Sequence, residues 1–392
     1  MAHVDLVQLA LLRTPLGQEA LRVAARHVND ERLAAISALR AEFDPVLAAA
    51  ALTQAELRQK ARAKFGAVAE SMYFTRAGLE QATRGLVARR RAARLRAAGA
   101  TAIADLGCGL GADLSAFVEA GIRAYGVDAD PVTAACAAIN VPSAAVTCAD
   151  ARDFDLSTVD SVFCDPARRA GNRRIFKPSD YSPPWEWVSS LPEKVPMTVL
   201  KLAPGIDQSL LPPGSELELV SVDGEVVEAA AWCGPLAMSP RRATVIRSSQ
   251  AHELTGTGVV QAPADNPRSY LFDPDGAVVR SHLVAEFAAT VEGVLGDPTI
   301  AYIWSDRPTR TPFGRCFEVD EVLPFSLKRL RAALRTREVG RLEILKRGSA
   351  LDVNTLRKEL RLSGTREMSL ILTRVKGAPV AVIARSIESA DG

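Results

Sequence analysis

The sequence predicts an α/β fold, a Rossmann-like doubly wound sheet with a helical region before it and an α+β domain after it. Three observations predict this. Residues 5–96 are rich in Ala, Leu and Arg, and apolar residues return every three or four positions, as amphipathic helices require. From Thr101 the texture changes to short apolar runs alternating with helical stretches, the βαβ rhythm of a parallel sheet covered on both faces. A polar stretch rich in Gly, Ser and Thr at 248–258 then reads as a linker to a mixed remainder. The expected divisions are therefore a helical region at 1–98, an α/β domain at 99–247 and an α+β domain at 259–392.

Each element has a local reason. Asp44 before Pro45 marks a helix start, because a carboxylate caps free N–H groups and proline suits the first turn. Thr53 followed by Glu56 reads as a capping box and predicts a second start. Leu79, Ala82 and Leu86 share a helical spacing, and Gly99 ends the last helix. Strands are expected at Ala102–Leu106, 124–127, Ala145–Cys148, Ser161–Cys164 and 198–202, with helices starting at Asp113 and Pro131. Strands Glu216–Val222 and Glu225–Trp232 flank Asp223-Gly224, a two-residue hairpin turn. In the remainder, helices are expected at 281–295, 326–334 and Val353–Leu360, and strands at 341–346, 369–375 and 380–384.

Composition narrows the function classes. Hydrophobic residues make up 48% and charged residues 24% of the 392, enough apolar content for a buried core in two or three domains. No apolar run approaches the roughly 18 residues that cross a bilayer, and no basic leader precedes an apolar stretch at the N-terminus. Neither a membrane span nor a signal peptide is expected. The six cysteines form no CxxC pair, and His3, His27, His252 and His282 are far apart. A cytoplasmic protein with buried thiols and no metal site is the expectation. The net charge of +2 is uneven: residues 1–100 carry +7, 101–245 carry −8 and 246–392 carry +3, while 326–376 alone carry +9. Such asymmetry fits a polyanion touching the flanks of an acidic middle; solvated Arg-rich helices would give the same pattern.

The strongest motif is the apolar run from Ala102 that ends in Asp105 and opens into Gly107, Gly109 and Gly111 before a helix at Asp113. Glycines let the backbone turn tightly and approach a ligand, and the helix start offers free N–H groups. A carboxylate just before the glycines would repel a pyrophosphate, the ligand such loops hold in dehydrogenases, but it suits the ammonium of S-adenosylmethionine (AdoMet). Asp128 ends the second strand about 20 residues later, where an acidic residue accepts both ribose hydroxyls. Asp150 follows the third strand, where its carboxylate would meet the adenine amino group and the N–H of Ala151 a ring nitrogen. Three such strand ends in register point to one nucleoside-bearing cofactor, AdoMet.

The fourth strand ends in Asp165-Pro166-Ala167-Arg168. Carboxyl ends of central strands face the ligand crevice of a doubly wound sheet. The pattern resembles the Asp/Asn-Pro-Pro-aromatic motif of amino-group methyltransferases acting on nucleic-acid bases, with Ala167 and Arg168 departing from it. In those enzymes the Asp side chain and a Pro carbonyl orient the amine, a positioning effect. Asp165, Pro166 and Arg168 are accordingly the candidate catalytic residues, with Phe176, Tyr181, Trp185 or the Arg168 plane to stack a flipped base. The motif also resembles the Asp-Pro-Pro-Arg of 5-methyluridine-forming enzymes, which need a cysteine after the next strand. That place reads Leu200-Lys201-Leu202-Ala203, so carbon methylation through a cysteine adduct is not expected. Arg169, Arg173, Arg174 and Lys177 crowd the same mouth, and Lys201 could join them as a phosphate contact.

Taken together, Ala63–Gly66, Met72–Thr75, Gly78–Thr83, the Asp105 loop, Asp165–Arg169, Lys201–Gly205 and Ser221–Gly224 resemble the class I AdoMet-dependent methyltransferases with a THUMP-like domain, chiefly actinobacterial. The resemblance spans nearly the whole chain and implies a methyltransferase sheet with a C-terminal THUMP-like domain. It implies Gln81 and Thr83 as further cofactor contacts, since such enzymes fold this segment over AdoMet. It implies RNA, tRNA or rRNA, as partner, with Lys346 and Arg347 among the basic residues that would meet phosphate. The leading expectation is transfer to an RNA base nitrogen by a monomer. A small-molecule N-methyltransferase acting on an anionic metabolite, and a non-catalytic RNA-binding protein that retains AdoMet, remain alternatives.

Overall fold

Six helices open the chain: α1 (Leu6–Arg13), α2 (Pro15–His27), α3 (Arg32–Arg40), α4 (Pro45–Phe65), α5 (Arg76–Gln81) and α6 (Gly85–Ala97). The computed structural model describes residues 5–168 and 181–387. It divides into two units, the first Met1–Leu202 with Asp207–Ser215 and Ala231–Ala237, the second Ala203–Ile206, Glu216–Ala230 and Met238–Gly392. Among the described residues no helix is long and apolar enough to cross a membrane.

Local chemistry starts the helices. Asp5, Thr14 and Asp44 each cap an N-terminus with a side-chain oxygen, and Pro15 and Pro45 occupy first turns. The expected start at Thr53 is not one. Thr53 lies in mid-α4, buried, and its Oγ1 donates to the Ala49 carbonyl at 2.9 Å. Glu56 instead accepts two bonds from Arg32, at 2.6 and 2.8 Å. Gly99, at φ +96°, does follow the end of α6.

The parallel sheet of the first unit comprises β1 (Ala102–Leu106), β2 (Arg123–Asp128), β3 (Ala145–Cys148), β4 (Ser161–Cys164) and, after β5 (Ala167–Arg168) and β6 (Tyr181–Ser182), β7 (Met197–Leu202). Helices α7 (Ala112–Glu119), α8 (Pro131–Asn140) and α9 (Trp185–Lys194) are interleaved. The strand order is β7-β4-β1-β2-β3, and every pair is parallel. The order reverses between β1 and its neighbours β2 and β4, the switch point at which such sheets open a crevice.

The N-terminal helices are not a separate body from this sheet. Their core, from Leu9 to Leu79, also takes in Leu110 of the glycine loop and Cys136 of α8. Two amides, Gln54 buried and Asn140 half-buried, hold the segment before α5. Gln54 bonds the Phe74 backbone in both directions, at 2.6 and 3.0 Å. Asn140 accepts from Tyr73 N at 2.7 Å and donates to Tyr73 O and Leu110 O, each at 3.0 Å.

In the second unit, β8 (Glu216–Val222) and β9 (Glu225–Trp232, whose last two residues belong to the first unit) flank a turn with Asp223 at φ +49° and Gly224 at φ +85°. Both values match the two-residue hairpin read from the sequence. β10 (Arg241–Arg247) runs parallel to β8. The expected linker at 248–258 is a strand instead, β11 (Gln250–Gly256), antiparallel to β10. A second sheet holds β12 (Tyr270–Pro274), β13 (Val294–Leu295), β14 (Ile303–Ser305), β15 (Gly314–Pro324), β16 (Val339–Lys346), β17 (Arg366–Val375) and β18 (Ala378–Ile387). Its order is β13-β14-β12-β15-β18-β17-β16.

The expected helix 281–295 is broken. Asp275 caps α10 (Gly276–Arg280), His282 at φ +62° interrupts the chain, α11 (Val284–Thr290) follows, and β13 takes the end. Helices α12 (Leu327–Thr336) and α13 (Val353–Leu360) cover one face of the sheet. Along β17 the side chains alternate, Leu370 and Leu372 toward those helices and Ile371 toward Trp304 and Phe317 on the other face.

Candidate functional site

The glycine loop is shaped by backbone contacts that a side chain would break. Gly107 N and Cys108 N both donate to Val127 O, at 2.9 and 3.0 Å, which folds the loop over the end of β2. A Cβ on Gly107, at φ +89°, would stand 2.6 Å from the Asp165 carbonyl oxygen. At Gly109, φ +56°, it would meet nothing within 4 Å. One glycine therefore allows the ends of β1 and β4 to meet, and the other leaves open space. Gly111, at φ +86°, caps α7.

Asp105, the next-to-last residue of β1, has no exposed surface and no hydrogen-bond partner on either carboxylate oxygen. A buried carboxylate without hydrogen bonds is costly. Burial first, then Asp113 and Asp165, push its carboxyl well above the usual carboxylate range, while Arg91 and Lys201 oppose the shift. Three carboxyl groups thus meet two cations, and a cationic ligand group would favour the ionised form of Asp105.

Arg91 was not among the residues the sequence singled out. It comes from α6, is 2% exposed, pairs with Asp113 and lies over the Phe163 ring of β4 at 4.4 Å. Within Arg89-Arg90-Arg91 nothing in the sequence separates the one buried guanidinium from a solvated helix face.

Asp128 ends β2, as expected. Its Oδ2 accepts from Gly109 N at 3.0 Å and its Oδ1 from Asp130 N at 2.9 Å. Burial raises its carboxyl, and the two N–H bonds counter that. Asp150 follows β3, as the sequence reading placed it. It binds Arg152 at 2.7 Å and caps the short turn at Ala151–Asp153, which holds its carboxyl down at about 2. Ala151 beside it is buried.

At the β4 end, Asp165 N donates to Leu106 O at 3.1 Å, and Pro166 is buried. Asp165 Oδ2 accepts from Lys201 Nζ at 2.7 Å, and the same ammonium donates to Thr83 Oγ1 at 3.0 Å. Thr83 and Lys201 thus join the Asp165 corner, where the sequence had suggested a cofactor contact and a phosphate contact. Gln81 closes α5 with an exposed side chain and enters none of these bonds. The Arg168 backbone pairs with Tyr181 in a short ladder. Arg169, Arg173 and Arg174, with Phe176 and Lys177, lie outside the described residues. Tyr181 and Trp185 are buried against each other, ring centroids 5.5 Å apart, so they form a wall and not an exposed stacking platform.

In the second unit, the two bases read as phosphate contacts also have protein partners. Arg347 turns inward to Asp273, at 2.8 Å, and to Pro274 O, at 3.0 Å, with Tyr302 under its guanidinium at 5.4 Å. Lys346 donates to Leu351 O at 2.7 Å. Both are engaged within their own unit. Exposed bases of this unit include Lys328 and Arg329 of α12, Arg341 and Lys346 of β16 and Lys358 of α13. Among the described residues no group of three or more His, Cys, Asp or Glu could hold a metal ion.

Comparison with known proteins agrees with this architecture. A methyltransferase-domain family matches residues 104–167, a THUMP domain-like family residues 314–386, and a domain family of unknown function residues 5–61. A protein of Mycobacterium tuberculosis, named as an uncharacterized S-adenosylmethionine-dependent methyltransferase and found in two strains, is 37% identical over 337 residues, covering 81% of this chain and 90% of its own. A crystal structure of a candidate methyltransferase from Porphyromonas gingivalis W83 shares the fold at TM-score 0.73 and 22% identity, over 95% of this chain and 99% of that one. The orphaned Asp105 carboxylate, the open space at Gly109 and the acidic end of β2 all fit AdoMet. The chain belongs to the family of S-adenosylmethionine-dependent methyltransferases that carry a THUMP-like domain toward the C-terminus.

Proposed function

We propose that this methyltransferase acts on a base nitrogen of RNA, tRNA or rRNA. The observation that carries the reading is Asp165-Pro166 at the end of β4, one oxygen of Asp165 held by Lys201 and the other without a bond among the described residues. A target amine with two N–H groups would give one to Asp165 Oδ1 and one to the Pro166 carbonyl. Its lone pair is then aimed and need not reorganise during transfer. Asp165 can also take the proton that the nitrogen loses.

AdoMet supplies an electrophilic methyl group on a sulfonium. For its binding we assign Asp105 to the ammonium, the Gly107–Gly111 loop to the amino-acid moiety, Asp128 to the ribose hydroxyls, and Asp150 with the Ala151 N–H to adenine. The THUMP domain-like match at 314–386 supports an RNA substrate. So do the exposed bases Lys328, Arg329, Arg341 and Lys358, which suit phosphates and carry no sequence information. The test is methyl transfer from labelled AdoMet to RNA from a strain that lacks the protein. Label in that RNA, absent with RNA from the parent strain, upholds the reading; label in neither overturns it.

A further inference from the structure

We propose that Lys201 is a positioning residue that holds Asp165 for catalysis, and not a phosphate contact; the inference rests on reading Asp165 as the residue that receives the target amine. Three observations carry it. First, β4 and β7 pair in parallel with Cys164 opposite Leu200, so Asp165 and Lys201 are the next residues on adjacent strand ends. The two side chains start side by side at the mouth of the crevice. Second, the Lys201 side chain is 14% exposed and its ammonium is spent inward, on Asp165 Oδ2 at 2.7 Å and Thr83 Oγ1 at 3.0 Å. An ammonium already donating to two protein oxygens is committed to the protein and has less to offer a phosphate. Third, Thr83 is itself anchored. Lys64 of α4 donates to the carbonyls of Leu79, Glu80 and Ala82, at 2.6, 2.8 and 2.9 Å, which fixes the backbone leading to Thr83.

A rigid hydroxyl therefore locates the ammonium, and the ammonium locates one carboxylate oxygen. Without it the carboxylate is free to rotate about its terminal bond, and the amine loses a defined acceptor. The same ammonium sits in the field of Asp105. The groups that act on Asp105 are Asp113 from α7, Asp165 after β4, Arg91 from α6 and Lys201 from β7, with the buried thiols of Cys108 and Cys164 beside it. This gives a readout that needs no methyl acceptor.

The experiment compares wild type, Lys201→Met, Lys201→Arg and Thr83→Val in the full-length protein. AdoMet affinity is measured by calorimetry from acidic to neutral pH, and turnover on RNA from the deletion strain at two salt concentrations. For Lys201→Met we expect kcat to fall about 100-fold, as misplacement of a reacting group does, with KM for RNA within about threefold and no added salt dependence. AdoMet binding should also fail at a higher pH than in wild type, because a cation that favours the ionised Asp105 is gone. Lys201→Arg should recover part of both effects, and Thr83→Val should lower kcat by less than Lys201→Met. Unchanged kcat with a salt-dependent rise in KM would make Lys201 a phosphate contact and overturn the proposal. If the wild type itself methylates no RNA, the RNA reading fails; a crystal structure of Lys201→Met then decides alone, an Asp165 carboxylate turned away from its wild-type rotamer upholding the positioning role and an unmoved one overturning it.

Discussion

Asp105 is where charge and burial meet, and it is the residue we assign to the AdoMet ammonium. Its folded carboxyl titrates well above the ordinary value of 3.8. In the ligand-free protein its ionisation therefore disfavours the folded state. Stability attributable to this residue should fall as pH rises from the unfolded value toward the raised one. AdoMet reverses the sign, since an ammonium favours the ionised form. AdoMet affinity should increase with pH across that window, with proton release on binding. Asp105→Asn should flatten the pH dependence and weaken AdoMet by about 10- to 100-fold, the range for losing a charged hydrogen-bond partner; calorimetry in two buffers of different ionisation enthalpy measures both. Asp165→Ala should separate from it, leaving AdoMet affinity within about threefold while kcat drops about 100-fold or more. Among single residues, those at strand ends were legible, because an apolar run, an acid and glycines follow one another in sequence. Lys201 and Thr83 were legible only as residue types. Their bond joins positions 118 apart, and nothing local predicts it.

Helix α6 shows why an element can belong to a site that lies after it in the chain. Arg91 reaches from it to Asp113 at the start of α7 and stacks on Phe163. Arg91→Met should leave Asp113 buried without its counter-ion and cost about 3–5 kcal/mol, as breaking a buried pair does; denaturant unfolding of the two proteins measures it. Removal of residues 1–98 should be worse still, exposing Leu110 and the apolar face of α8 that those helices cover, and the remainder should aggregate in place of binding AdoMet. The period of the apolar residues made most elements readable. β11 escaped because it is an edge strand with side chains from exposed to half-buried along its length, so its sequence looks like a linker. The break at His282 escaped because a positive φ at histidine has no strong sequence signature.

At the scale of the whole molecule, the uneven charge read from the sequence includes an acidic cluster at the strand ends of the first unit, where we place AdoMet, and exposed bases in the second. Of the two residues of the THUMP-like unit first named for RNA, Lys346 is exposed and Arg347 is half-buried. Arg347 is held by Asp273. Reversing Lys328, Arg329 and Lys358 to Glu should weaken RNA binding and reduce its salt slope by about one unit for each phosphate the variant no longer neutralises. AdoMet affinity should not change; filter binding at several salt concentrations, with calorimetry alongside, checks both.

The central claim is that this fold methylates RNA, and the most direct measurement is transfer of labelled methyl from AdoMet to total RNA from a deletion strain and from its parent. The account predicts label in the deletion RNA alone, in a base-methylated nucleoside, and none with Asp165→Ala. No incorporation into either RNA by a protein that binds AdoMet would contradict it.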